Sequence, residues 1–263
     1  MTNSEVDAQL RSYGRRRGRK ASPRQEGLKR DLLPRVALDL SAPSGRLPAG
    51  EPEGALSAVS VDTPSSRRPP STAPSGRLPA GESEGASQVW LEIGFGGGEH
   101  LLWQAADNPR VTLIGCEPFE DGVVKVLSAI EQDQLQNIRL HMGDARDVLR
   151  WLAPASVDRA FILFPDPWPK RKHRKRRLVN PVTLKLLARV MKPGAQLRIG
   201  TDIGDYARTM LRAFRTQSDF AWQAQGPADW RVRPADWPQT RYEQKAEREG
   251  RVRYYFRFTR TDV

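Results

Sequence analysis

Cysteine is almost missing from this chain. Cys116, in the apolar run V-T-L-I-G-C-E, is the single one among 263 residues. One thiol can form neither an internal disulfide nor a cysteine zinc site, which fits a reducing compartment. Histidine is scarce as well. His100, His141 and His173 show no metal-ligand spacing, so no metal centre is expected. No apolar run approaches the roughly 20 residues that span a bilayer. The opening stretch M-T-N-S-E-V-D-A-Q-L carries acids and lacks the apolar stretch of a secretory signal. A soluble, cytoplasmic protein is expected. Acids are the remaining shortage: 43 Lys and Arg face 31 Asp and Glu, a net charge of +12 that favours an acidic partner.

The positive charge is concentrated. Seven of the eight residues from Lys170 to Arg177 are Lys or Arg. A patch this dense suits nucleic acid, the commonest polyanion. F-P-D-P-W-P-K precedes it, with Asp166 between Pro165 and Pro167. Proline fixes its own φ and drives the residue before it toward extended backbone, so Phe164, Asp166 and Trp168 are expected to be stiff and extended. A rigidly held acid beside a basic patch reads as a site. Trp168 either stacks on a base or packs on the protein.

The chain divides by composition into a basic arm over 1–35, a linker over 36–87 and a folded domain over 88–263. Residues 11–24 hold seven basic residues and no acid, either a solvated tail or an arm that orders on phosphate. In the linker, A-P-S-G-R-L-P-A-G-E occurs at 42–51 and again at 73–82, and E-x-E-G-A closes both copies. Rich in Pro, Gly, Ser and Ala, it cannot bury enough apolar area to offset its ordering entropy. From Gln88 onward, strand-like runs at 89–93, 111–116, 138–142, 159–164 and 196–200 alternate with helical patterns such as Val123, Val124, Leu127 and Ile130. Met191-Lys-Pro-Gly194 reads as a helix stop. The pattern predicts an α/β fold with a mostly parallel seven-stranded sheet and helices on both faces. Runs at 220–224 and 252–258, with only loop between them, predict an antiparallel C-terminal hairpin.

L-E-I-G-F-G-G-G-E-H (91–100) passes from strand to helix with Gly94, Gly96 and Gly98. The dinucleotide fingerprint would need glycine at 99, where Glu99 stands. E-x-G-x-G-x-G is instead the pattern of S-adenosylmethionine (SAM) enzymes. The glycines let backbone approach the methionine tail, and an acid such as Glu92 favours its cationic sulfonium and ammonium. Glu117 ends the second strand, where a carboxylate can accept from both ribose hydroxyls. Asp144 follows the third and can take the adenine amino group. Three acids at successive strand ends line the sheet edge where such folds bind ligands.

At these residues the chain resembles the bacterial tRNA (guanine-N7)-methyltransferases. The resemblance rests on E-I-G-F-G-G-G (92–98), I-G-C-E (114–117), D-A (144–145), F-P-D-P-W-P-K…H-x-K-R-R (164–177), G-T-D (200–202) and T-R-Y-E (240–243). It covers 88–263 almost throughout. It implies a Rossmann-like SAM-dependent methyltransferase fold and methyl transfer from SAM to N7 of guanine 46 in the tRNA variable loop. Glu92, Gly94, Gly96, Gly98, Glu117 and Asp144 are then cofactor contacts and Asp166 the catalytic residue. Lys170, Asp202, Thr240, Arg241, Tyr242 and Glu243 would contact the guanosine, and Lys172, His173, Arg174, Lys175, Arg176 and Arg177 the RNA. Ile203 departs from the family, which often has tryptophan there. Partners would be tRNA and no membrane, with the chain a monomer or homodimer. From the residues alone, Asp202 also reads as a helix N-cap and T-R-Y-E as a strand-leading loop. Two other functions stay open: a SAM enzyme acting on another substrate, and an RNA-binding protein that kept the fold without catalysis.

Overall fold

The computed structural model describes residues 21–41 and 88–262. Its strands are β1 (Val89–Ile93), β2 (Thr112–Cys116), β3 (Ile138–His141), β4 (Val157–Leu163), β5 (Met191–Thr201), β6 (Phe220–Trp222) and β7 (Tyr254–Arg260). They form one sheet in the order β3-β2-β1-β4-β5-β7-β6. The first five pair in parallel, and β7 pairs antiparallel with both β5 and β6. All five residues of β1 are buried, although successive side chains point to opposite faces. Both faces of the sheet are therefore covered. The helices α3 (Glu99–Asp107), α4 (Glu120–Asp133), α5 (Ala145–Trp151), α6 (Pro181–Val190) and α7 (Gly204–Arg215) follow successive strands. The architecture is a Rossmann-like methyltransferase fold with an antiparallel C-terminal pair.

Local chemistry explains the elements that frame the site. Asn180 caps α6, accepting from the Thr183 N–H, and Pro181 opens it. Helix α6 stops at Val190, and Met191 to Gly194 already belong to β5. Gly194 takes φ +79° there, beside a shift of register against β4 between Val157 and Arg159. The proline–glycine signal thus marks an irregular strand entrance as well as a helix end.

Three features depart from the sequence expectation. The connection between β6 and β7 is not simply loop: it carries α8 (Ala228–Arg231) and α9 (Arg241–Arg248). Thr240 caps α9 through its hydroxyl, so T-R-Y-E opens a helix. Phe164 and Trp168 are not extended but left-handed, at φ +51° and +41°. Proline denies its predecessor the right-handed helical region, and both residues take the remaining alternative at some strain. Finally, residues of the basic arm and the start of the linker are structured. Helix α1 (Pro23–Asp31) has a reciprocal capping box between Ser22 and Gln25, and α2 (Leu33–Val36) follows it. Leu28 and Val36 enter the core, Lys29 pairs with Glu120, and the Leu38 N–H donates to the Leu140 carbonyl at the β3 edge. The basic stretch 11–20 and the duplicated segment 42–87 lie outside the described residues.

Candidate active site

A cavity of about 350 Å³ opens at the C-terminal ends of β1 to β4, the edge at which parallel sheets bind ligands. The glycine loop forms one wall. Gly94 and Gly96 have φ +78° and +57°, and Gly98, at +82°, caps α3. A Cβ at Gly98 would lie 2.2 Å from the Val126 side chain. Gly122, which no motif singles out, matters as much: a Cβ there would stand 2.1 Å from the Gly96 carbonyl oxygen. Helix α4 is thereby pressed against the loop backbone. Gly122→Ala is expected to destabilise the fold by about 1–3 kcal/mol through overpacking, measured by chemical denaturation.

Glu117 stands at the centre of the wall. Its Oε2 accepts from the Gly96 N–H at 2.8 Å and its Oε1 from the Phe119 N–H at 2.9 Å. A carboxylate has about four acceptor positions, so each oxygen keeps one for the cavity. Burial pushes its carboxyl above the ordinary range, the two N–H bonds pull it back, and the charge of Asp166 adds an upward push. Asp144, also on the wall, caps α5 and is gripped by the Arg146 guanidinium at 2.9 and 2.5 Å. Arg146 is a cavity residue the sequence reading misses; its position two residues after Asp144 in D-A-R was the available signal.

Glu92 is not on that wall. Its carboxylate accepts from Nδ1 of buried His100 at 2.7 Å, and His100 Nε2 lies 3.2 Å from Gln104 Nε2. Gln104 in turn donates to the Asp236 carbonyl at 3.2 Å. This chain of contacts ties the strand before the glycine loop, through α3, to the segment that leads into α9.

Asp166 lines the opposite side with Phe164, Pro165 and Trp168. Of the three cavity carboxylates, Asp166 alone makes no hydrogen bond or ion pair with a described residue. It is open at the cavity mouth, yet enough protein surrounds it that desolvation raises its carboxyl above the usual range. Tyr242 closes the rim: a Cβ at Gly96 would meet its ring at 3.1 Å. Arg241 lies beside it, paired with Glu99 at 3.4 Å.

The other expected guanosine contacts stand back from this cavity. Asp202 accepts from Arg251 Nε at 2.7 Å and does not cap α7, whose N-cap is Ile203. Glu243 is buried, taking the Tyr255 hydroxyl and Arg233 Nε, the latter at 3.1 Å. Lys170 is exposed at the start of a 3₁₀ helix, Arg171–Arg176. That helix turns Arg171, Lys172, Arg174 and Lys175 outward. Arg176 reaches the cavity and covers the Trp168 ring at 5.0 Å. His173 packs edge-on to Trp168, and burial together with Arg176, Lys172 and Lys170 lowers its pKa. Arg177, expected among the RNA contacts, turns inward. It is 2% exposed, and donates to the Pro167 carbonyl, Thr209 Oγ1 and Asp205 Oδ2 at 2.8, 2.7 and 2.6 Å. Its guanidinium braces the Asp166 loop from behind. Among the described residues no group of His, Cys, Asp and Glu could hold a metal, and no helix is long and apolar enough to cross a membrane.

A family model described as "Putative methyltransferase" matches residues 86–256. A tRNA (guanine-N(7)-)-methyltransferase of Zymomonas mobilis subsp. mobilis is 41% identical over 99% of this chain and 100% of its own length. The chain belongs to the tRNA (guanine-N(7)-)-methyltransferase family. A second member, from Ruegeria sp., is 52% identical over 66% of this chain and 68% of its own. The family relationship therefore covers the cavity, the 3₁₀ helix and both C-terminal helices, all of which fall within the Zymomonas alignment. The crystal structure of PH0851 shares the fold, with a TM-score of 0.51 at 12% identity over 66% of this chain and 43% of that one.

Proposed function

We propose that this chain transfers a methyl group from SAM to N7 of a guanine in the tRNA variable loop, position 46. The observation that carries the reading is Asp166: a carboxylate with a raised pKa and no hydrogen bond or ion pair to a described residue, facing the Glu117 wall of a cavity rimmed by Arg176 of the 3₁₀ helix. The residues present fit SAM. Glu117 keeps acceptor capacity for a ribose diol, and Gly94, beside which a Cβ would meet nothing within 4 Å, leaves room against the loop for the zwitterionic methionine tail of SAM. The cavity volume lies within the range of about 300–1,000 Å³ for small-molecule sites. SAM, when bound, supplies an electrophilic methyl group.

What remains for the protein is alignment and charge. Guanine N7 already carries a lone pair, so no general base is required. The protein must hold the base in line for displacement, with the reacting atoms roughly 3–3.5 Å apart. The purine becomes cationic as its N7 is methylated. A carboxylate fixed beside it is worth more at the transition state than before it, which is the role assigned to Asp166. An unpaired carboxylate also accepts well from the outward N–H donors of guanine. The base leaves its stack to reach the cavity.

Incubating the chain with methyl-labelled SAM and bulk tRNA, then cleaving selectively at 7-methylguanosine, tests the reading. Label released at that scission is expected; label elsewhere, or none, would contradict it. The two kinds of arginine and lysine in 170–177 separate in a second experiment. Arg177→Ala is expected to lower stability by about 2–4 kcal/mol, because it strips a buried guanidinium whose three nitrogens each make a hydrogen bond. Lys172→Ala combined with Lys175→Ala leaves the denaturation midpoint unchanged. It flattens the salt dependence of tRNA binding by about one unit of slope per cation. Equal effects of the two substitutions on stability would refute this division.

A further inference from the structure

Helix α7 carries a charge pattern that the cavity does not use. Its buried face is Tyr206, Ala207, Met210, Ala213 and Phe214. Its exposed face presents Arg208, Arg212 and Arg215, spaced i, i+4 and i+7, hence one stripe about 10 Å long. None of the three forms a hydrogen bond or ion pair with a described residue. The nearby acid, Asp205, is already shared by Arg174 and Arg177 at 3.1 and 2.6 Å, and Arg208 contributes only a more distant attraction to it. Like charges at i, i+4 weaken a helix. A helix macrodipole accounts for Arg212 and Arg215 in the last turn, but not for Arg208 near the positive end.

Position gives the stripe a partner. Arg177 and Arg174 tie the 3₁₀ helix to the first turns of α7, through Thr209 and Asp205. The exposed cations Arg171, Lys172, Arg174 and Lys175 and the exposed α7 arginines are thus carried on two elements that these bonds join. A single flipped nucleotide needs no such extent. A run of exposed guanidinium groups along one straight element suits a row of backbone phosphates.

We propose that the Arg208–Arg212–Arg215 face of α7 binds the phosphate backbone of the base-paired RNA stem flanking the methylated loop. The inference rests on the tRNA reading of the active site and extends it to a second contact. Its role is affinity and orientation, with no part in chemistry, so its loss acts on the Michaelis constant for tRNA and spares kcat.

The test is the triple variant Arg208→Gln, Arg212→Gln, Arg215→Gln, assayed with SAM and full-length tRNA over a salt series. A rise in apparent KM of about tenfold or more at low salt is expected. With it comes a loss of about three units in the slope of log affinity against log salt, about one per arginine, with kcat unchanged. Replacing the three by Lys restores most of the affinity. A truncated RNA that keeps the target loop but lacks the flanking stem is expected to treat wild type and variant alike. Should wild type methylate tRNA while the Gln variant keeps its KM and salt slope, the stripe is a solvated face and the inference fails. The same holds if the truncated RNA is weakened equally, since the stem is then not the ligand. Absence of methylation by the wild-type chain would instead overturn the proposed function itself.

Discussion

Asp166→Asn is expected to reduce kcat by about 10²–10³-fold, the usual cost of one charge-stabilising group at a developing ion, while SAM affinity stays within about twofold. The side chain makes no hydrogen bond or ion pair with a described residue, so its replacement disturbs none among those residues. What disappears is a fixed negative charge beside a purine that turns cationic. The same carboxyl governs the acid side of the pH profile. Burial raises its pKa, and the ionised form is the useful one, so kcat/KM is full above that raised pKa and declines as pH falls through it. The decline lies above the ordinary aspartate value of about 3.9. Stability runs the other way. A carboxyl with a raised folded pKa takes up protons on folding, so its penalty appears as pH rises through the window between the unfolded and folded values. Asp166→Asn escapes that penalty. The variant is expected to melt slightly higher than wild type at neutral pH, with the difference vanishing in acid. An inactive variant that also melts lower would point to a scaffolding role instead.

Glu117→Ala is expected to weaken SAM binding by about 100-fold or more. Two effects combine. The ligand loses a charged acceptor, worth about 1.5–3 kcal/mol per hydrogen bond, where each 1.4 kcal/mol is tenfold. The loop also loses its anchor, because the Gly96 and Phe119 N–H groups both donate to this side chain. Glu117→Gln separates the two. An amide oxygen can still serve one N–H, but its NH₂ faces the other donor, so an intermediate loss is expected. The dissociation constants of the three proteins for SAM check the order. A Glu117→Ala chain that binds SAM normally would place the cofactor elsewhere.

Much of this site was readable from the chain because its chemistry is local or periodic. Strands end just before Glu117 and shortly before Asp144, so spacing alone brings both acids to one sheet edge. The glycines at 94, 96 and 98 all take positive φ, as a tight strand-to-helix turn requires. What escaped depends on contacts far apart in sequence. Nothing near Arg177 shows that its guanidinium turns inward, because its partners are at 167, 205 and 209. Glu243 reads as a free acid until Tyr255 and Arg233 fold against it. Glu92 carries the motif's acid, but nothing near it in sequence shows that its carboxylate meets buried His100. Helix α9 was missed because it is short and strongly polar, with Ala246 and Glu243 its buried residues. The left-handed Phe164 and Trp168 show a further limit: proline excludes a region for its neighbour but does not choose among those left.

All these expectations assume that the cavity between the glycine loop and Asp166 receives the methyl donor. Calorimetric titration of SAM into the purified chain, without RNA, tests that most directly. One equivalent bound per chain, with binding sharply weakened by Glu117→Ala and preserved in Asp166→Asn, is the predicted result. No binding to the wild-type chain, or binding indifferent to Glu117, would contradict it.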